Sequence, residues 1–305
     1  MDFSKVTNSV CMKNICACFL FFTGAVFSTL VQAALIPDDP VPEVHFVFRA
    51  LEPGEVIKVS IEDDSDISSA YVRVFGKKYP LGRAIYSEKI LAVIGLDLDL
   101  KSGTYLLDVY IIRHEGHADL VRKRITVMPK QFPVKKLWVN EKYVTPPAEA
   151  RERIQRESIV LSAVFDIFSH QWTGNGRFVL PLKGKPAHNF GERRIFNNKS
   201  RSPHSGEDIS APNGTEVCAS NSGRVVLASN LYFAGNTVII DHGLRVFTFY
   251  CHFSNIRVKR GQNVKKGDVI GEVGATGRVT GPHLHWSVRI NGSRVDPYSL
   301  LYILF

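Results

Sequence analysis

Cysteine is scarce in this sequence: five in 305 residues, of which Cys11, Cys16 and Cys18 fall near the N-terminus. Beyond them only Cys218 and Cys251 remain, too few for a disulfide framework. They read either as one pair formed in an oxidising compartment or as two small core residues. Long apolar runs are equally rare. The one run, Ile15 to Leu30, follows Lys5 and Lys13 and leads into Val31-Gln32-Ala33, the pattern of a cleavable export signal over residues 1–33. It is short for a membrane span, which needs roughly 20 apolar residues, so a retained anchor is the lesser reading. Met12 offers a second start. The remainder is expected to be soluble or peripherally attached. Zinc-finger spacing and a recognition helix are also lacking, and with an export signal this argues against a nucleic-acid partner despite a formal net charge of +9.

What the chain does have is enough apolar residue, 45%, for two ordinary cores. The charge is divided unevenly. Residues 34–169 carry 19 basic and 20 acidic side chains, whereas residues 170–305 carry 17 and 8, so the excess sits in the C-terminal half. A basic exported domain suits contact with anionic envelope polymers or an anionic lipid surface. After a proline-rich linker over 34–42, short alternating segments such as Val56 to Ile61 and Thr104 to Tyr110 recur between Gly, Pro, Asp and Ser. They predict an immunoglobulin-like β-sandwich module over 43–130. His114-Glu115-Gly116-His117 falls in a polar turn there and is not read as a metal pair. Thr145-Pro146-Pro147 and the spacing of Ile154, Leu161, Val164, Phe165 and Phe168 predict a linking helix from about 147 to 169, within a connector over 131–175. From residue 176 to 305, glycine-punctuated strands return and predict an antiparallel β domain.

Of ten histidines, six lie in the last 118 residues, at 188, 204, 242, 252, 283 and 285. If His283-Leu284-His285-Trp286 is a strand, its two imidazoles share one face. His204-Ser205-Gly206-Glu207-Asp208 adds an imidazole and a carboxylate four residues apart. A hydrolytic zinc site needs about three such ligands and one open position. His242, between a strand end and a turn, is read as a structural hydrogen-bonding residue. His188, Asn197 and Asn198 stand near the entrance in chain order, without an assigned role.

These segments, with Tyr250-Cys251-His252 and Gly281-Pro282-His283-Leu284-His285, resemble the signature of the LytM or lysostaphin-like zinc metallopeptidases, the M23 peptidase family. The likeness runs over about 176–298 and includes Phe190-Gly191, Ala211 to Thr215, Gly235 to Gly243 and Gly267. It implies His204, Asp208 and His285 as Zn2+ ligands with water as the fourth, and His252 and His283 as the catalytic pair. The fold implied is mainly β: an N-terminal β-sandwich, a linking helix and a C-terminal LytM-like peptidase domain. The substrate implied is peptidoglycan, its cross-links or stem peptides hydrolysed in the periplasm or cell envelope. Which histidine acts as base stays open. So do a non-catalytic wall-binding or amidase-activating role, and latency imposed by the N-terminal module. One departure stands out: many relatives carry Glu two residues after the second His, where this chain has Ser287. No carboxylate is offered there to orient His285.

Overall fold

A computed structural model of the chain describes residues 41–138, 140–200 and 202–305. The expected export signal, and the linker up to residue 40, lie outside the described residues. Two four-stranded antiparallel sheets come first along the chain. One orders His45–Phe48, Val56–Glu62, Lys89–Gly95 and Gly82–Arg83; the other orders Lys77–Pro80, Ile67–Val74, Gly103–Arg113 and Ala118–Val127. Alternation decides what they bury. Ile57, Val59 and Ile61 face Val72, Leu107, Val109 and Ile111 across the shared core. The opposite face of the first sheet is not given to water: Val56, Leu91 and Val93 pack with Trp172, Val246, Val288, Ile290 and Val295 of the C-terminal half. That is why Val56 to Ile61 is buried at every position, and why Lys58 spends its ammonium on the carbonyl of Leu304.

The helix spans Ala148–Phe165, and Leu161, Val164 and Phe165 pack on Val226, Leu227, Ile239 and Phe247. It ends four residues before the predicted stop because the chain from Ser169 to Thr173 is claimed by strand-like hydrogen bonds. Trp172 N–H donates to Arg83 O, Ile85 N–H to Trp172 O, Thr173 N–H to His242 O and Leu244 N–H to Ser169 O, all at 2.8–3.0 Å. This segment threads between the two halves, with Trp172 1% exposed.

The C-terminal half is built on an antiparallel sheet in the order Lys185–Pro186, Gly206–Ser210, His283–Ile290, Val246–Phe253, Gly235–Asp241, Gly223–Leu231 and Asn263–Val264, with Ser293–Val295 alongside His283–Ile290. A three-stranded sheet of Glu216–Cys218, Val269–Glu272 and Asn255–Ile256 covers one face, closing a core of Val217, Ile270, Val238, Tyr250, Leu284 and Trp286. A further small sheet joins Lys199–Ser200, Arg193–Phe196 and Val134–Leu137, the last pair parallel, so the stretch expected as a connector contributes a strand beside the site. The tail forms a short helix, Pro297–Tyr302, because Asp296 caps it and Pro297 occupies its first turn. Cys218 and Cys251 are both free thiols, so the paired alternative is not realised. The fold is mainly β and its sheets largely antiparallel, as the spacing of apolar residues and turn signals led one to expect. Among the described residues no helix is long and apolar enough to cross a membrane.

Candidate active site

Strand register assembles the site. Asp208 lies directly opposite His285, and Ser210 opposite His283, on the neighbouring strands Gly206–Ser210 and His283–Ile290. Cys251 pairs with His285 from the other side. With side chains alternating, Asp208, His283 and His285 share one face, while Ile209, Leu284 and Trp286 fill the core behind. Gly206 allows the close approach: a Cβ there would lie 2.5 Å from both the Trp286 carbonyl oxygen and the Ser287 Cβ. His204 enters from just before the same strand and is buried.

His252 arrives differently. The ladder between Gly235–Asp241 and Val246–Phe253 shifts register between Asn236 and Val238, which leaves Cys251 and His252 in a bulge. His252 takes a left-handed backbone, φ 65°, held by its N–H donating to Ala234 O at 2.9 Å. A non-glycine residue there costs about 1–2 kcal/mol, and the result is a ring aimed at the sheet's active face. Its centroid is 4.9 Å from that of His283 and 6.1 Å from that of His285.

Three donor atoms converge. His204 Nε2 is 3.0 Å from Asp208 Oδ1 and 2.9 Å from His285 Nδ1, and His285 Nδ1 is 2.9 Å from Asp208 Oδ1. His204 Nδ1 lies 3.0 Å from the Asn189 carbonyl, which assigns the proton to Nδ1 and leaves a lone pair on Nε2. Three lone-pair atoms this close repel one another unless a proton or a cation lies among them. A triangle with these sides has a circumradius of about 1.7 Å, shorter than the roughly 2.0 Å of a zinc–nitrogen bond, so one ion can reach all three at normal distance. The two-imidazole, one-carboxylate set is also the chemistry zinc prefers. His204, Asp208 and His285 therefore fit a metal ion.

Groups behind this triangle orient it. Asp208 Oδ2 accepts from Asn189 Nδ2 and Arg194 Nη2, both at 2.9 Å, which leaves Oδ1 for the triangle. Asn189 Oδ1 in turn accepts from the Asp208 N–H at 3.1 Å. Glu207, pointing to the opposite face from Asp208, accepts from the backbone N–H groups of His188 and Asn189 and pins the loop that presents Asn189. Burial would raise the Asp208 carboxyl, but hydrogen bonds and charge from His204 and His285 outweigh it and hold it well below the usual range. Burial lowers His285 to about 4, and burial with the neighbouring charges of His285 and His283 lowers His252 to about 3. The two remaining rings are anchored alike: His252 Nδ1 donates to Thr276 O and His283 Nδ1 to Gly281 O, each at 2.8 Å. Each therefore presents Nε2 as a lone pair, and that of His283 is 3.8 Å from Asp208 Oδ1.

All five residues singled out from the sequence thus meet at the floor of one cleft of about 640 Å³, walled by Lys135, Leu137, Phe196, Phe233 and Arg278 among others. His242 is not among them. It is fully buried, with Nδ1 2.8 Å from Ser222 O and Nε2 2.8 Å from Thr248 Oγ1. His188 contributes its backbone N–H to Glu207, and His114 and His117 stay in an exposed turn. Asn189, Arg194 and Glu207 carried no sequence signal for these contacts beyond standing in or beside the two motif segments.

The family model for peptidase family M23 matches residues 202–297. Over 121 residues the chain is 44% identical to peptidoglycan DD-endopeptidase ShyA of Vibrio cholerae, covering 39% of this chain and 28% of that protein. Over 97 residues it is 47% identical to the DD-carboxypeptidase/endopeptidase Mpg of Neisseria meningitidis, covering 32% and 22%. Both matches thus span under a third of the relative's own length. A crystal structure of a peptidase M23 protein from Pseudomonas aeruginosa decides the matter: 31% identity and TM-score 0.63, over 84% of this chain and 96% of that one. The chain belongs to peptidase family M23. Its M23 segment holds every member of the donor triangle and both anchored imidazoles, whereas Asn189 and Arg194 come from just before it and Lys135 from far before.

Proposed function

We propose that this M23 chain is an exported, zinc-dependent endopeptidase that hydrolyses peptide bonds in the cross-links or stems of peptidoglycan. The observation that carries the reading is the convergence of His204, Asp208 and His285 beside two imidazoles that each present a lone pair to the same cleft. Zinc held by the three donors would lower the pKa of a coordinated water to about 7 and polarise a carbonyl. The protein's own groups do the rest. His283 Nε2, 3.8 Å from the Asp208 corner of the triangle, takes a proton from the attacking water as the new C–O bond forms and then gives it to the amine nitrogen as the C–N bond breaks. His252 Nε2, kept neutral by burial, accepts a hydrogen bond from water or from a substrate N–H and fixes its direction. Asn189 and Arg194 keep Oδ1 of Asp208 turned inward. The substrate class is supported by relatives named for peptidoglycan, and export by the N-terminal apolar run.

Metal content and peptide release from purified sacculi test this together. His204→Ala and His285→Ala are expected to lose both, whereas His283→Ala and His252→Ala keep the metal and lose turnover at least about 100-fold. A wild-type protein that binds zinc yet releases no peptide would instead leave the non-catalytic, wall-binding role. One that neither binds zinc nor releases peptide would sink the proposal.

A further inference from the structure

At the bulge two residues of one strand oppose a single residue of the other: Asn236 pairs with Phe253 and Val238 with Tyr250, so Cys251 and His252 stand against Thr237. A bulge takes ladder groups away from their regular partners, and each must find another. Thr276 supplies one. The N–H of Asn236 donates to Thr276 Oγ1 at 2.9 Å, and that hydroxyl donates to Phe253 O at 2.9 Å. It is thus spliced between the backbone groups of two residues paired across the strands, one position from His252.

The same residue holds the ring. Thr276 O accepts from His252 Nδ1 at 2.8 Å, and this bond leaves Nε2 as the lone pair. A carbonyl on a loose loop would not fix an imidazole, but this one is tied on both sides: by its own side chain to Asn236 and Phe253, and by the Arg278 N–H donating to Phe233 O at 2.8 Å. The two segments meet at glycines with positive φ. A Cβ on Gly235 would lie 2.3 Å from Thr276 Oγ1 and 2.5 Å from Thr276 O, and one on Gly277 would lie 2.5 Å from the Gly235 nitrogen. His252 N–H, which fixes the left-handed backbone, donates to Ala234 on this same stretch. Backbone and ring of His252 therefore refer to one clamped body, Ala234 to Asn236 against Thr276. The geometry points to Thr276 as a positioning residue: its hydroxyl completes the bulge and so holds its carbonyl where it sets the tautomer and direction of the His252 ring. The inference rests on the hydrolase reading above and deepens it, since Thr276 acts through the imidazole.

The test uses the full chain with zinc, a cross-linked stem peptide and two substitutions. Thr276→Val keeps the shape and removes the hydroxyl; Thr276→Ser keeps the hydroxyl. Thr276→Val is expected to lower kcat about 10- to 100-fold, with KM changed less than about threefold and zinc content unchanged, and Thr276→Ser to stay within about threefold of wild type. The His252 ring N–H gives a readout independent of turnover, identified in the nitrogen-edited NMR spectrum by its absence from His252→Ala. Its exchange with solvent should be at least about 10-fold faster in Thr276→Val than in wild type, and close to wild type in Thr276→Ser. Equal kcat and exchange for wild type and Thr276→Val, or Thr276→Ser impaired as much as Thr276→Val, would overturn the assignment. So would loss of zinc together with turnover, which would make Thr276 a support of the whole sheet. If Thr276→Val does not fold, Thr276→Ser decides alone: wild-type kcat and exchange uphold the role of the hydroxyl, and their loss removes it. If wild type releases no peptide, the hydrolase reading falls, and the exchange rates still decide for or against Thr276.

Discussion

Asn189 touches two of the three donors: its carbonyl fixes the His204 ring, its amide holds Asp208 Oδ2, and its amide oxygen takes the Asp208 N–H. Asn189→Ala should therefore weaken zinc binding about 10- to 100-fold, as measured by competition with a chromophoric chelator, with little change in circular dichroism; unchanged affinity would deny it that role. His242 tests a residue that serves the fold. Both its nitrogens are used in the neutral ring, and burial lowers its pKa from 6.5 to about 4. The unfolded chain thus binds the proton first on acidification. Stability is full above about pH 6.5 and falls toward pH 4, by roughly 1.4 kcal/mol per pH unit and about 3 kcal/mol in all. Urea midpoints between pH 7 and pH 5 should fall more steeply for wild type than for His242→Gln; parallel slopes would refute the assignment. At this scale the sequence was most legible where residues sit on one strand or one turn. His204, Asp208, His283 and His285 stand in short segments that resemble a family signature, whereas Asn189, Arg194 and Glu207 act through a loop whose approach depends on tertiary contacts.

The strand pair Gly206–Ser210 and His283–Ile290 places Asp208 opposite His285, and its closeness depends on the missing side chain at Gly206. Gly206→Ala should force the strands apart, destabilise the fold by about 1–3 kcal/mol and lower zinc affinity together. Retained stability with normal metal binding, read by thermal melts and zinc titration, would show that the strands accommodate the methyl group. Ser287, which offers no carboxylate, belongs to this same contact. Elements with strict alternation were legible almost to the residue, as in His283–Ile290 and Val56–Glu62. Others were not. Val134–Leu137 is a single exposed strand whose partner, Arg193–Phe196, lies far along the chain, and no local pattern announces a parallel pairing. The helix stops at Phe165 because backbone groups from Ser169 onward find partners outside it.

Across the whole molecule the two halves share one apolar layer, with Trp172 stacked on Phe305 at 4.6 Å and enclosed by Val56, Leu91, Val93, Val288 and Val295. Arg294 adds a bidentate contact to Asp97, and Arg49 joins Glu55 to Asp296. One cooperative calorimetric transition is expected for the full chain, and Trp172→Ala should cost about 3–5 kcal/mol and lower the melting of both halves. Two separate transitions in wild type would mean the halves fold independently. A chain truncated to begin near Gln171 exposes this layer, so any change in its activity must be judged beside its stability. This second contact was not legible in Val56 to Ile61, where Lys58 and Ser60 alternate with Ile57, Val59 and Ile61 as in a strand with one wet face, although both faces are buried. We propose that one metal ion, held by His204, Asp208 and His285, enables peptide hydrolysis in this cleft. Mass spectrometry of sacculi digested by the full chain, after chelation and then after adding back one equivalent of zinc, tests it most directly. Peptide-bond cleavage is expected to vanish and return with the metal; cleavage that persists without metal, or glycan-bond products in place of peptide ones, would contradict it.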